Sequence, residues 1–269
     1  MPQPPLTVLI PVYNEERTID ELLRRVAAGP YPDKEVIVID DGSGDATPRL
    51  LEAWADRPGF RVLRHAKNQG KGAAVRTGLA HAQGEVTIIQ DADLEYDPAD
   101  YTQLVEPIRN GEAEAVYGSR YLAPTRRLPW TTFRLGVMVF NGMVRVLYGQ
   151  RTTDEATCYK AARTSLFRAL NLQAVRFELC PEMTAKLCRL GVRIAEVPVS
   201  YEPRGADAGK KIGWRDGASA VWTLLRWRVS PFSAGSDSLW ELNPCSKQKE
   251  AECGSSAQKF GAMEQATKD

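Results

Sequence analysis

At 269 residues, with 43% hydrophobic and 26% charged side chains, the chain has ordinary globular composition and enough length for one full core. A formal net charge of +1 provides no global field for nucleic acid, and no uninterrupted run of about 18 apolar residues predicts a membrane-spanning helix. The five cysteines form no Cys-x-x-Cys pair and only His65 and His81 exist to complete a zinc site, so a reduced cytoplasmic protein without a signal peptide is expected.

The first predicted strand, residues 6–12, is apolar and runs into Tyr13-Asn14-Glu15-Glu16. Leu22, Leu23 and Val26 then follow at helical spacing behind acidic residues. A second strand over 36–39 ends in Asp40-Asp41-Gly42-Ser43. A short third strand over 60–63 leads to Asn68-Gln69-Gly70-Lys71-Gly72 and a helix over 73–82. The fourth strand, 86–89, meets Asp91, Asp93 and Glu95 at once, ahead of a helix capped at Asp97-Pro98. Continuous apolar strands, short loops and intervening helices predict an α/β fold, a mainly parallel sheet with helices on both faces.

In such a sheet the carboxyl ends of the strands lie along one edge, where ligands bind. Tyr13 offers a ring for a base to stack on, and Asp41 an acceptor for a base or ribose. Lys71, at a helix start, can meet a phosphate. The Walker pattern is absent, and no Gly-x-Gly-x-x-Gly follows the first strand. Three carboxylates ending a buried strand are costly without a cation, so Asp91, Asp93 and Glu95 suggest a divalent metal carrying a phosphorylated substrate. Taken alone, they equally suit a solvated turn.

The second half is basic and apolar. A strand around Val116 ends in Arg120, whose planar guanidinium suits bidentate phosphate binding. Residues 128–148 are apolar nearly all round but carry Arg134 and Arg145, which fits a bilayer-interface helix or a buried one; Arg126 and Arg127 precede it. Asp154 follows, then a helix from about 177 with Glu182 in its first turn, and a strand over 192–199. Cys158, Cys180 and Cys188 read as small buried side chains. A glycine-rich stretch between Arg204 and Lys210-Lys211 suits either a lid over a diphosphate or a solvated loop. Trp and Arg in a helix over 214–232 favour a membrane interface, and residues 233–269 read as a disordered tail beyond a single 1–232 domain.

The series Pro11-Val12-Tyr13-Asn14-Glu15, Asp40-Asp41-Gly42-Ser43, Asn68-Gln69-Gly70-Lys71-Gly72, Asp91-Ala92-Asp93-Leu94 and Gly118-Ser119-Arg120-Tyr121 resembles glycosyltransferase family 2 over about residues 5–232. The likeness is greatest to the dolichyl- and polyprenyl-phosphate mannosyl- or glucosyltransferases. It implies a GT-A type fold and inverting transfer of a hexose from a nucleotide-diphosphate sugar, of the GDP-mannose or UDP-glucose type, to a polyprenyl phosphate. By the same resemblance, Pro11, Tyr13, Glu15, Ile39 and Asp41 surround the nucleotide. Asp91-Ala92-Asp93 becomes the Asp-x-Asp motif for Mg2+ or Mn2+ and the donor diphosphate, with Glu95 where such enzymes often have a glutamine. Arg120, and secondarily Arg134, fall to the acceptor phosphate; Asp154 binds sugar hydroxyls or orients an arginine; Arg204 with Lys210 or Lys211 contacts the donor phosphates. Longer relatives carry transmembrane helices after about residue 232, so attachment here would be peripheral, on the cytoplasmic face, or through a membrane partner. Two alternatives stay open: a soluble hydroxyl acceptor with Asp154 or Glu182 as base, and a non-catalytic nucleotide-sugar-binding subunit.

Overall fold

The computed structural model describes residues 3–122, 132–203 and 214–232. Seven strands among them form one sheet: β1 (Leu6–Val12), β2 (Glu35–Asp40), β3 (Phe60–Arg64), β4 (Val86–Ile89), β5 (Ala115–Ser119), β6 (Lys160–Arg163) and β7 (Ile194–Pro198). Their order is β3-β2-β1-β4-β6-β5-β7. All pairings are parallel except those of β6, which runs antiparallel to both β4 and β5. Eight helices accompany them: α1 (Ile19–Ala28), α2 (Thr47–Ala55), α3 (Lys71–His81), α4 (Tyr101–Arg109), α5 (Thr132–Tyr148), α6 (Thr164–Ala169), α7 (Leu179–Arg189) and α8 (Trp214–Val229).

Strand side chains alternate between two cores. Val8, Ile10, Val36, Val38 and Ile88 face α1, α2 and α4, where Leu22, Trp54 and Leu104 complete one cluster. Leu9, Ile37, Ile39 and Ile89 face α3, α6 and α7, packing on Val75, Leu166 and Met183. Helix α3 lies so close to the sheet that a Cβ on Gly78 would come within 2.8 Å of Ile39 Cδ1 and 2.9 Å of Leu9 Cδ2. A third cluster joins α5, α7 and α8 through Val144, Ala185, Leu224 and Trp227.

The strand order reverses between β1 and β4, and in open α/β sheets ligands bind in the crevice beyond the strand ends at such a switch point. The ladder between these strands ends at Leu9 and Ile89, with one further bond from Gln90 N–H to Leu9 O. β1 continues to Val12 against β2 alone. Backbone groups alternate sides along a strand, so Pro11 turns its missing N–H toward the side where β4 has already left. A proline is tolerated in this central strand because no partner is needed there.

The parallel, doubly covered sheet expected from the sequence is present. The sequence reading missed α2, α6 and β6. β6 is Lys-Ala-Ala-Arg, without one β-branched or large apolar residue, and is held as a strand by its two neighbours.

Candidate active site

On the β1–β2 side, main-chain hydrogen bonds hold the polar groups. Asn14 adopts the left-handed region, with φ 53°. Its N–H donates to Ser43 Oγ (2.9 Å) and its Oδ1 accepts from Gly44 N–H (2.8 Å). Glu15 N–H donates to Thr47 Oγ1, and its carboxylate accepts from Thr18, both at 2.9 Å. The β1 and β2 ends are thereby stitched together beneath Tyr13, whose ring is exposed at the mouth. Asp40 Oδ1 accepts from Ser43 N–H at 2.9 Å, while Oδ2 lies 3.3 Å from the Arg64 guanidinium without a hydrogen bond. Asp41 is buried and accepts from Gln69 N–H (2.9 Å), Gly70 N–H (2.7 Å) and His65 Nδ1 (2.6 Å). Pro11 pairs in register with Ile39. The Ile39 side chain is fully buried beneath α3, so the expected nucleotide contact there is limited to its main chain.

The glycines around Lys71 serve packing. A Cβ on Gly70 would fall 2.4 Å from Val175 O, and one on Gly72 2.4 Å from Ala174 O. Between them, Lys71 reaches across the crevice to form an ion pair with Asp91, and its Nζ lies 3.0 Å from Cys158 Sγ. Burial alone would lower this ammonium's pKa, but Asp91 together with the nearby Cys158 and Cys180 holds it well above the lysine range. Cys158 thus has a polar contact while it packs, partly buried, against one core; Cys188 packs likewise against the other, and Cys180 is also partly buried.

Ala92 is buried between the two aspartates. Leu94 then takes φ 62°, a conformation costly for a leucine, and Glu95 N–H folds back onto Asp93 Oδ1 at 3.2 Å. Glu95 Oε2 accepts from Tyr201 at 2.9 Å. Among the described residues no three carboxylate, histidine or cysteine side chains converge tightly enough to hold a metal ion together. Of the expected trio, Asp91 pairs with Lys71, Asp93 accepts from Glu95 N–H, and Glu95 accepts from Tyr201. Gln90, fully buried, binds the Asp91 carbonyl (3.0 Å) and accepts from Tyr101 (2.9 Å) and Tyr159 (2.6 Å), anchoring the turn. A lone amide closing an apolar strand was its only sequence signal.

The other wall centres on Arg120, at the end of β5. Asp154, fully buried, accepts from Arg120 Nε and Nη2, both at 2.7 Å, and from its N–H at 3.0 Å. Burial would lower the guanidinium's pKa, but nearby Tyr96 and the Asp154 pair hold it well above its ordinary value. Arg120 Cζ lies 5.1 Å from the Tyr201 ring centre and 5.9 Å from that of Tyr121, and Arg134 Cζ lies 5.5 Å from Tyr121. The two arginines expected for an acceptor phosphate thus share one tyrosine. Glu182 is buried, paired with Lys186 at 2.6 Å and accepting from Gln173 and Ala174 N–H groups. Glu155, also buried, accepts from Thr184 at 3.2 Å, and burial pushes its carboxyl up to about 7. Arg126, Arg127, Arg204, Lys210, Lys211, the 204–213 lid and the 233–269 tail lie outside the described residues.

Comparison with known proteins places the fold and the family. The model of "Glycosyl transferase family 2" matches residues 7–170. An undecaprenyl-phosphate mannosyltransferase of Micrococcus luteus is 31% identical over 82% of this chain and 93% of its own length. An undecaprenyl-phosphate 4-deoxy-4-formamido-L-arabinose transferase of Edwardsiella ictaluri is 31% identical over 74% of this chain and 60% of its own. The chain spans 33% of the length of one such relative, a glycosyltransferase of Haloferax volcanii, against 93% of the Micrococcus luteus enzyme. Among solved structures, glucosyl-3-phosphoglycerate synthase from Mycobacterium tuberculosis, in complex with Mn2+, UDP and phosphoglyceric acid, superposes with a TM-score of 0.65 at 22% identity. That match covers 85% of this chain and 80% of the synthase, and it establishes a shared fold. With the family model spanning most of the sheet and a 31% identical relative covered almost end to end, the chain belongs to glycosyltransferase family 2.

Proposed function

We propose that this chain transfers a hexose, with inversion, from a nucleotide-diphosphate sugar of the GDP-mannose or UDP-glucose type to a polyprenyl phosphate. The carrying observation is the state of the acceptor-side carboxylates. A hydroxyl acceptor must lose a proton to a positioned base. Asp154 is bound edge-on by Arg120, and Glu182 is consumed by Lys186 and two main-chain N–H groups. A phosphate acceptor is already anionic at neutral pH and needs no base. It needs guanidinium groups, which Arg120 and Arg134 supply near Tyr121. Two relatives named for undecaprenyl-phosphate transfer favour the same acceptor class.

On the donor side, Tyr13 would stack on the base, with Pro11, Glu15, Asp41 and the Ile39 main chain around the nucleoside. Asp91 and Asp93 are two hard oxygen donors, and Asp91 already faces a cation in Lys71, so the pair fits Mg2+ or Mn2+ completed by diphosphate oxygens. When bound there, the metal supplies charge neutralisation at the leaving diphosphate. Lys71 pairs with the Asp91 carboxylate and so places a cation beside the proposed diphosphate site. Asp154 fixes the plane of Arg120 so that the acceptor oxygen meets the anomeric carbon opposite the leaving group. Arg204 and Lys210 or Lys211 would close over the diphosphate.

Attachment would be peripheral, on the cytoplasmic face, where free cysteines stay reduced. No helix among the described residues is long and apolar enough to cross a membrane. Exposed Leu135, Met138, Val139 and Val146 on α5, and Trp222, Leu225 and Val229 on α8, offer apolar faces to a bilayer interface. The test is product analysis after incubation with a panel of nucleotide sugars and either polyprenyl phosphate or water-soluble alcohols. A lipid-linked glycosyl phosphate that mild acid cleaves is expected. Glycoside formation on the alcohols, with none on the polyprenyl phosphate, would transfer the function to a hydroxyl acceptor.

A further inference from the structure

Helix α5 presents different groups around its circumference. Leu135, Val139 and Val146 recur at spacings of four and seven and point outward, exposed. Val137 and Val144 point inward and are buried. On a flank between them stand Arg134 and Asn141, two turns apart on one face.

Asn141 binds the segment 152–155 through three hydrogen bonds. Its Oδ1 accepts from Glu155 N–H (2.9 Å) and Thr152 Oγ1 (3.2 Å), and its Nδ2 donates to Thr153 O (2.7 Å). The Glu155 N–H can only donate, which fixes the amide's orientation. From the opposite side β7 grips the same segment: the Glu196 carboxylate accepts from Thr153 N–H (2.8 Å) and Asp154 N–H (3.1 Å). The clamped segment has one further task, since Asp154 within it holds Arg120 by three bonds.

We infer that Asn141 is a positioning residue that couples docking of α5 on a lipid surface to the setting of Arg120. This rests on the proposed reading of Arg120 as the acceptor-phosphate arginine. A displacement or rotation of α5 moves the Asn141 amide and with it the 152–155 segment, and Asp154 transmits the shift to the guanidinium plane. Asn is suited to the position because the segment offers two donors and one acceptor together. Aspartate would satisfy the donors and face Thr153 O with a lone pair, and alanine would release all three.

The test uses the full chain with a short, water-soluble prenyl phosphate as acceptor, with and without anionic vesicles that contain no acceptor. Wild type is expected to be stimulated by vesicles. Asn141→Ala is expected to raise the acceptor KM about tenfold, equivalent to about 1.4 kcal/mol, to leave the donor KM within about twofold, and to lose the vesicle stimulation. Asn141→Asp should fall between. Glu196→Gln weakens the β7 grip without touching α5, so it should raise the acceptor KM and keep the stimulation ratio. If Asn141→Ala does not fold, Thr152→Val, which removes one of the three bonds and leaves the helix intact, should give a smaller rise of the same kind. A folded Asn141→Ala with wild-type acceptor KM and stimulation, an equal rise in both KM values, or a wild type indifferent to vesicles would each overturn the coupling. Failure of the underlying reading is distinguishable, because wild type would then form no product from any prenyl phosphate.

Discussion

The two walls of the crevice hold their carboxylates by different means. On the donor wall Asp40 accepts from Ser43 N–H, Asp41 from Gln69 and Gly70 N–H, and Asp93 from Glu95 N–H. These donors belong to the backbone; Asp41 also accepts from the His65 ring, and Asp91 pairs with Lys71. On the acceptor wall Asp154 is locked to buried Arg120 and Glu182 to buried Lys186. A buried ion pair is a weak source of net stability, but removing one partner leaves a charge in a low-dielectric interior. The donor wall should therefore lose chemistry without losing fold, while the acceptor wall should lose both together.

Asp93→Ala gives the largest expected effect. Transfer should fall by about 10⁴-fold, roughly 5 kcal/mol of transition-state stabilisation, and metal-dependent nucleotide binding should disappear. The urea midpoint should stay at the wild-type value. Normal transfer by the folded variant would remove the metal assignment. Loss of both fold and activity would erase the contrast between the walls.

Asp154→Ala comes next. It strands the Arg120 guanidinium and should cost about 4 kcal/mol of stability, read from urea unfolding, besides raising the acceptor KM. The double variant Arg120→Met, Asp154→Leu should recover most of that stability and none of the acceptor binding. A single variant as stable as wild type would mean that the pair carries no structural weight.

The same contrast explains how far the sequence could be read. Donor-wall residues fall just after apolar β-branched strands, and a parallel sheet brings such ends together by topology, so Tyr13, Asp41, Asp91 and Asp93 were legible from local pattern. Acceptor-wall partnerships join distant points: Arg120 with Asp154, Glu95 with Tyr201, Lys71 with Cys158, Asn141 with Thr153. No local periodicity encodes them. The segment 152–158, which carries three of these partners, leads into β6, a strand the sequence hides because Lys160-Ala-Ala-Arg163 has no strand propensity of its own. The reading of Lys71 as a phosphate contact gives no account of the glycines beside it, which let residues 174–175 pass.

Glu155 sharpens the comparison through pH. Burial holds its carboxyl at about 7 against an ordinary 4.5, so from about pH 4.5 to 7 the folded state keeps a proton that the unfolded state has lost. Its contribution is therefore favourable below pH 4.5, fades as pH rises through that window, and leaves a deficit of about 3 kcal/mol above pH 7. Glu155→Gln retains an acceptor for Thr184 and removes the charge. Relative to wild type it should be about 3 kcal/mol more stable at pH 8 and near equal at pH 4.5, read from urea midpoints. A constant difference across that range would mean that Glu155 ionises normally within the fold.

The smallest effect concerns what lies outside both walls. Val146 is 84% exposed on α5, and no core contact depends on it. Val146→Asp should change unfolding by no more than about 0.5 kcal/mol, as a solvent-facing substitution does. Removing one apolar anchor and adding a charge repelled by anionic headgroups should weaken cosedimentation with anionic vesicles about tenfold, close to the roughly 1.5 kcal/mol that a valine contributes when taken out of water. Trp222→Asp on α8 should weaken it at least as much, because the ring covers more area and suits the interface. Substitution of exposed Arg61 on β3 by alanine supplies the contrast: it also removes favourable charge from the surface, yet vesicle binding should hold if docking is confined to α5 and α8. Equal losses from all three variants would mean that vesicles are held by diffuse charge and would leave the apolar faces of α5 and α8 without a lipid role.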